Sequence, residues 1–250
     1  MTLNRKAGCL AALIAASACV LPAHAYDHEL WLRAQVRIAA DGHVETLEWQ
    51  KKGEAAGLIT GRLEPMIRAW EFEPGKIDGV PAPTDTFLTV QVLGEELDDG
   101  SMNLSLGDVR TGAVLETITP PRYPLREARN GNSAQLVATL EISAEGEVRA
   151  ADVEVEASRQ GSGAAFVDSL KDVVAEWKPS LERVGGVPVA ATLRMPVQFC
   201  GPGDMRWCEE YNRERIERLR AKQVPTMPAA DAIALESAVK LLTPVRGNDI

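Results

Sequence analysis

The sequence predicts an α+β fold in which a β-β-α-β unit with a small antiparallel sheet occurs twice. Residues 30–38 and 136–142 alternate apolar and polar side chains with the period of two that a half-buried strand requires. A turn of an acidic residue and glycine follows each, at Asp41-Gly42 and at Glu145-Gly146. An apolar stripe with helical spacing comes next in both units and ends in a tryptophan.

The two units match position by position, which predicts an internal repeat. Leu136 follows Leu32 by 104 residues, and the three apolar alternations after each keep that offset. From the helix onward the offset is 107, so that Trp177 corresponds to Trp70. Three extra residues near the second strand account for the change.

In the first unit, strands are predicted over 30–38 and 44–49, then a helix, then a strand over 87–93. The helical stripe contains a proline that predicts a kink or a late helix start, and we place its tryptophan in the core. This stripe consists of Ile59, Leu63, Met66, Ile67 and Trp70, with Pro65 inside it.

In the second unit, a strand begins at Val148, a helix ends at Trp177, which we also place in the core, and a last strand covers 193–199. The predicted boundaries are a signal peptide (1–25), a degenerate first repeat (26–95), a connector (96–119), a second repeat (120–200) and a helical tail (201–250). Strand-like pieces in the connector could extend the first sheet. The tail is expected to hold a charged helix over 206–223 and a final helix capped by Asp231. The apolar stripe of that final helix consists of Leu235, Ala238, Val239 and Leu242.

The first 25 residues have the pattern of an export signal cleaved after Ala25, with two basic residues, a 15-residue apolar stretch and Ala23-His24-Ala25. The stretch is short for a membrane span. An uncleaved membrane anchor is therefore less favoured than a cleaved signal, and lipidation at Cys19 is a third interpretation that ranks below plain secretion. A periplasmic protein with no spanning helix in its mature part is therefore expected. Loss of this segment, which has two basic and no acidic residues, takes the formal net charge from −9 to −11, and this argues against nucleic acid as a partner.

Two cysteines remain after the signal, Cys200 and Cys208, and an oxidising compartment favours a local disulfide between them. A zinc site would need two further ligands, and only the distant His28 and His43 are available. No cofactor motif and no nucleophile motif of a hydrolase occurs, so an enzyme is not expected.

The second unit resembles the C-terminal domain of the TonB family of energy transducers. The resemblance covers about 80 residues and rests on a Tyr-Pro opening, an acidic-Gly turn, a helix ending in tryptophan, a Gly-x-Pro-Val and a final Pro-Val-x-Phe. The residues that carry it are Tyr123, Pro124, Gly146, Trp177, Gly186, Pro188 and 196–199. The second unit has Trp177-Lys178-Pro179 where the family has Trp-x-Phe-x-Pro, and the first unit keeps that motif but lacks the Tyr-Pro. The chain has no long proline-rich spacer, so the resemblance implies the fold and a way of binding rather than energy transduction.

That way of binding is strand addition, in which a sheet edge pairs with an extended peptide of an outer-membrane receptor or another envelope protein. Residues 193–199 are the expected edge, because Pro196 cannot donate to a ladder; its side chains are Leu193, Met195, Val197 and Phe199. The same edge could form a homodimer, or the helical tail could cover it. A module that holds peptidoglycan is the alternative function, and a hydrolase using unidentified carboxylates is a remote one.

Overall fold

The computed structural model describes residues 28–50, 53–201, 203–221 and 232–250. Within them the chain forms sixteen strands and four α-helices. The strands are β1 (His28–Ile38), β2 (Val44–Trp49), β3 (Phe72–Glu73), β4 (Lys76–Ile77), β5 (Val80–Pro81), β6 (Thr84–Glu96), β7 (Met102–Gly112), β8 (Val114–Thr117), β9 (Ala134–Ile142), β10 (Val148–Ser158), β11 (Lys178–Ser180), β12 (Arg183–Val184), β13 (Val187–Pro188), β14 (Ala191–Phe199), β15 (Ile233–Ala234) and β16 (Lys240–Leu241). The helices are α1 (Gly53–Arg68), α2 (Leu125–Asn130), α3 (Ala164–Lys171) and α4 (Met205–Ala221).

Two antiparallel sheets dominate the fold, so the prediction of an α+β chain with small antiparallel sheets is confirmed at this level. The first sheet has the order β13-β12-β6-β1-β2, and β7 also pairs with β6. The second has the order β10-β9-β14-β15. In each sheet the first strand of the unit lies in the middle. Strand β1 lies between β2 and β6, and β9 lies between β10 and β14.

The two sheets share their strand register. Leu32 lies opposite Val90 in the first sheet, and Leu136 lies opposite Val197 in the second. The hairpins agree as well, since Ile38 pairs with Val44 and Ile142 pairs with Val148. The offsets of 104 and 107 seen in the sequence thus relate residues in equivalent places of the two sheets.

Each sheet has its own hydrophobic core, filled by the inward side chains of the strands and by the helix of its unit. Leu63, Ile67 and Trp70 are buried in the first core, and Phe166, Leu170 and Trp177 in the second. The prediction that both tryptophans are core residues is confirmed. Both follow a helix rather than end one, since α1 stops at Arg68 and α3 stops at Lys171, before a 3-10 turn over Val174–Glu176.

Of the two effects predicted for Pro65, a kink or a late helix start, the late start is wrong. Helix α1 begins at Gly53 and continues through Pro65. An interior proline lacks the N–H of one helical hydrogen bond and crowds the carbonyl four residues earlier, but the burial of Leu63 and Ile67 on either side of Pro65 holds this segment in the first core.

The connector and the tail contribute strands to both units. The predicted connector contributes β7 to the first sheet, while its β8 pairs with β11 of the second unit. In the tail, β15 pairs with β14 and β16 pairs with β3. The connector is therefore part of the two units, and it does extend the first sheet.

The prediction of a final helix in the tail is wrong, because this segment is extended and crosses both units. Ala232 packs in the second core, and Val239 and Val245 pack in the first. Of the predicted helical stripe, Val239 alone is buried, whereas Leu235 and Leu242 are exposed, so these residues do not form one packed face. The predicted signal peptide with Cys19, and the predicted helix cap Asp231, lie outside the described residues. In the described part of the chain no helix is long and apolar enough to cross a membrane.

Candidate functional site: the outer edge of β14

Strand β14 lies beside β9 along its whole length, and its opposite side pairs with the two-residue strand β15 at the margin of the second sheet. Its side chains alternate between the core and the opposite face. The side chains of the predicted partner-binding strand, Leu193, Met195, Val197 and Phe199, all point inward and are buried in the second core. Period-two geometry places them on the same face as α3, so the strand addition expected at this edge concerns its backbone groups. A partner at this edge would contact backbone groups.

The backbone groups that point outward belong to alternate residues of β14. The N–H of Leu235 donates to the carbonyl oxygen of Thr192 at 2.9 Å, and Arg194 lies opposite Ile233. With a period of two, Pro196 and Gln198 also direct their backbone groups to the outer side. The missing N–H of Pro196 therefore falls on the outer edge, where it removes no hydrogen bond to β9.

Strand β15 covers only one end of this edge. It pairs with Leu193 and Arg194, and among the described residues no strand pairs with the outer side of β14 beyond Arg194. The equivalent edge in the first sheet is filled, since β6 pairs with β7 from Phe87 to Glu96. Among the described residues of the tail, the two-residue strand β15 is the part that pairs with this edge.

The disulfide between Cys200 and Cys208 closes the turn after β14, with 6.3 Å between the two Cα atoms. A buried polar cluster holds the same turn. The N–H of Gly201 donates to Ser133 Oγ at 3.0 Å, and this hydroxyl donates to the buried Asp204 Oδ2 at 2.9 Å. Arg159 forms an ion pair with the other oxygen of Asp204.

Helix α4 leaves this turn and crosses the outer face of the second sheet. The Gln198 side chain donates to the carbonyl oxygen of Cys208 at 3.4 Å. At β10, Tyr211 Oη and Arg215 Nε both donate to Glu156 Oε2, each at 3.0 Å. Burial, and then the negative charge of Glu156, raises the pKa of Tyr211 to about 12. These contacts hold α4 over the outer face of the second sheet.

The Tyr-Pro pair positions the chain before the second sheet. The hydroxyl of Tyr123 donates to the carbonyl oxygen of Asn132, and its ring packs edge-on against Phe166 and Phe199, with centroids 5.5 and 5.8 Å apart. Pro124 stands directly before α2 with a φ of −62°. Tyr123 is therefore an anchor between the connector and the second core.

The other motif residues also have structural roles. The indole N–H of Trp177 donates to the carbonyl oxygen of Thr119 at 2.8 Å. Gly146 and Gly186 occupy hairpin turns with φ of +87° and +84°. Pro188 pairs with Arg183 at the margin of the first sheet. None of these four residues contributes a backbone group to the outer edge of β14.

A buried carboxylate that the sequence did not reveal joins three parts of the fold. Glu182 is 4% exposed and accepts hydrogen bonds from Thr86 Oγ1 (2.5 Å), Ser237 Oγ (2.7 Å) and the N–H of Ala238 (2.8 Å). Its donors come from β6 and from the tail after β15. An acidic residue beside a hairpin is usually solvated, so no pattern in the sequence distinguishes this one.

The described residues contain no group of three or more histidine, cysteine or acidic side chains placed to hold a metal ion. His28 and His43 are both exposed. No protein-family model matches this chain, and no curated protein matches it. Its function is therefore inferred from the fold and from the contacts of β14.

Proposed function

We propose that this chain is a non-enzymatic protein-binding module of two TonB C-terminal-like units, which binds an extended segment of an envelope protein by strand addition at the outer edge of β14. The observation that carries the proposal is the orientation of the backbone at Pro196 and Gln198. These residues direct backbone groups away from β9, beyond the two residues that β15 covers.

The affinity of such a site would come mainly from main-chain hydrogen bonds, because the inward side chains of β14 belong to the core. Gln198 offers an N–H and a C=O, and Pro196 offers a C=O. The first sheet supports this mode of pairing, since the equivalent edge of β6 already accepts β7 in antiparallel register. A segment supplied by another protein would stand in the corresponding place on the second sheet.

The proposed setting is the periplasm, where the export signal would direct the chain. A disulfide between Cys200 and Cys208 suits an oxidising compartment. Suitable partners are extended segments of outer-membrane receptors or of other envelope proteins, and a role as an accessory to outer-membrane transport follows from such partners.

Photocrosslinking in intact cells tests the proposal. A photoreactive residue at Gln198 should capture an envelope protein, and the same residue at Arg149, on the opposite margin of the same sheet, should not. The captured segment is then synthesised, and its affinity for purified protein is measured. Equal capture from Arg149 would contradict the proposal.

Two variants of Gln198 show whether its main-chain N–H contributes to binding of the partner segment. Gln198→Pro removes the outward N–H, whereas Gln198→Ala loses the same side-chain contact to Cys208 and keeps the N–H. We expect Gln198→Pro to weaken binding about tenfold, the value of roughly one net hydrogen bond, and Gln198→Ala to leave it unchanged. Retention of all three proteins by insoluble peptidoglycan, without a captured protein, would favour the wall-associated alternative instead.

A further inference from the structure

Strand β15 is already an added strand on the edge proposed to bind the partner. Ile233 and Ala234 pair antiparallel with Arg194 and Leu193, and Leu235 donates to Thr192 at 2.9 Å. The segment comes from the tail and is not one of the strands of the repeated unit. It therefore shows which direction and which register this edge accepts.

The position opposite Leu193 accepts only a small side chain. Ala234 points inward with Leu193, and a Cβ placed on Gly112 would lie 2.5 Å from the Cβ of Ala234. Ala232, two residues earlier on the same face, is buried in the second core. Ile233 lies between them and is half-buried. The edge therefore selects an antiparallel strand with small residues at two positions that are separated by one residue.

Strand β15 makes fewer hydrogen bonds to the rest of the protein than the residues that follow it. Its ladder is two residues long, and the Leu235 side chain is 53% exposed. The next anchors lie further along the chain, where Ser237 and Ala238 bond Glu182 and Leu241 pairs with Phe72. Release of β15 would leave these contacts in place.

We propose that β15 is an internal competitor for the β14 edge. A partner strand that has small residues at the positions of Ala232 and Ala234 replaces it in the same antiparallel register. This inference rests on the proposed function and adds to it the chemistry of the partner segment. A partner strand that extends over Leu193 and Arg194 then requires release of β15, so the tail lowers the affinity of the site for such a strand.

Two variants of Leu235 separate the backbone contact from the exposed side chain. Leu235→Pro removes the N–H that bonds Thr192, and Leu235→Ala keeps it. The probe is a synthetic peptide of this chain's own residues 232–237, Ala-Ile-Ala-Leu-Glu-Ser, with binding measured by calorimetry on the full mature chain. We expect Leu235→Pro to bind the peptide at least about tenfold more tightly than Leu235→Ala does, since the internal strand loses roughly one net hydrogen bond. A peptide with Ala234→Leu should not bind.

Equal affinities for the two variants, or equal binding of the Ala234→Leu peptide, would overturn the inference. Hydrogen exchange at the amides of β9 monitors the fold, and loss of their protection in Leu235→Pro would also overturn it, because β15 would then be an essential strand. The proposed function is judged separately. If the crosslinked envelope segment binds Leu235→Pro and Leu235→Ala equally and still depends on the N–H of Gln198, the function stands and the competition by β15 is wrong.

Discussion

The N–H of Phe72 donates to the carbonyl oxygen of Gly42 at 3.0 Å, which ties the first hairpin turn to the strand that follows α1. The approach is so close that a Cβ on Gly42 would lie 2.2 Å from the carbonyl oxygen of Phe72. The equivalent glycine of the second unit, Gly146, has more room, since its nearest neighbour would be Pro179 Cγ at 3.9 Å. An alanine at Gly146 would therefore meet backbone strain alone, whereas an alanine at Gly42 would also meet a steric clash.

Substitution of these two glycines by alanine should have unequal effects. Both have positive φ, +91° at Gly42 and +87° at Gly146, so Gly146→Ala should cost about 1–2 kcal/mol through backbone strain. Gly42→Ala should lower the free energy of unfolding further, because the added methyl also meets the backbone of Phe72. Urea unfolding of the two variants measures the difference, and equal losses would contradict it.

Helix α4 should respond to alkaline pH through Tyr211. Burial and Glu156 raise the pKa of its phenol to about 12, above the ordinary value of 10. The unfolded chain thus ionises first, and the stability that the neutral phenol contributes, fully present below pH 10, is lost as the pH rises towards 12. Absorbance at the phenolate band should show a tyrosine that titrates near pH 12 and is absent in Tyr211→Phe. Glu156→Gln should lower this pKa, and an unchanged titration would show that Glu156 has no part in it.

Removal of the disulfide should destabilise the protein without unfolding it. Closing so short a loop is worth about 2–3 kcal/mol through the entropy of the unfolded chain. The Ser133 and Asp204 contacts hold the same turn independently, so the double variant Cys200→Ser with Cys208→Ser should still fold. Denaturant unfolding of this variant, and of the wild type with and without reductant, gives the difference. An unchanged unfolding midpoint in the variant would contradict the expected contribution.

The contact between Gly112 and Ala234 can be tested by paired substitutions. Gly112→Ala should displace β15, because the new methyl group would lie 2.5 Å from the Cβ of Ala234. We expect the exchange rate of the Leu235 amide to rise by about tenfold or more, the cost of roughly one hydrogen bond. Adding Ala234→Gly should restore much of the protection, since it removes the second methyl group. Equal exchange in the single and double variants would show that the backbone strain at Gly112, with φ of +133°, is the whole effect.

The alternating strands were predictable because the inward side chains of each strand pack into the core of one sheet. Leu32 and Leu136 both point into a core, as their period-two surroundings predict. The tail was not predictable in this way, because its buried apolar residues pack against two different cores. Ala234 packs against the second core and Val239 in the first, and a spacing that fits one face of a helix also fits an extended strand between two bodies.

The site was predicted in part for the same reason. Pro196 signalled a strand margin, and its outward backbone position agrees with that signal. The inward direction of Phe199 follows from the same alternation, so its side chain could have been assigned to the core from the sequence. Strand β15 could not be predicted from the sequence, because two residues carry no periodic pattern. Its pairing depends on the fit of Ala234 beside Gly112.

The crossed strands of the connector and the tail have a consequence for folding. Strand β16 pairs with β3 of the first unit, and β8 and β15 pair with β11 and β14 of the second, so partners that lie far apart in the chain must meet before either core is finished. Such distant pairings slow folding and couple the two halves energetically. Calorimetry should accordingly record a single melting transition, with equal van't Hoff and calorimetric enthalpies, although the molecule contains two separate cores.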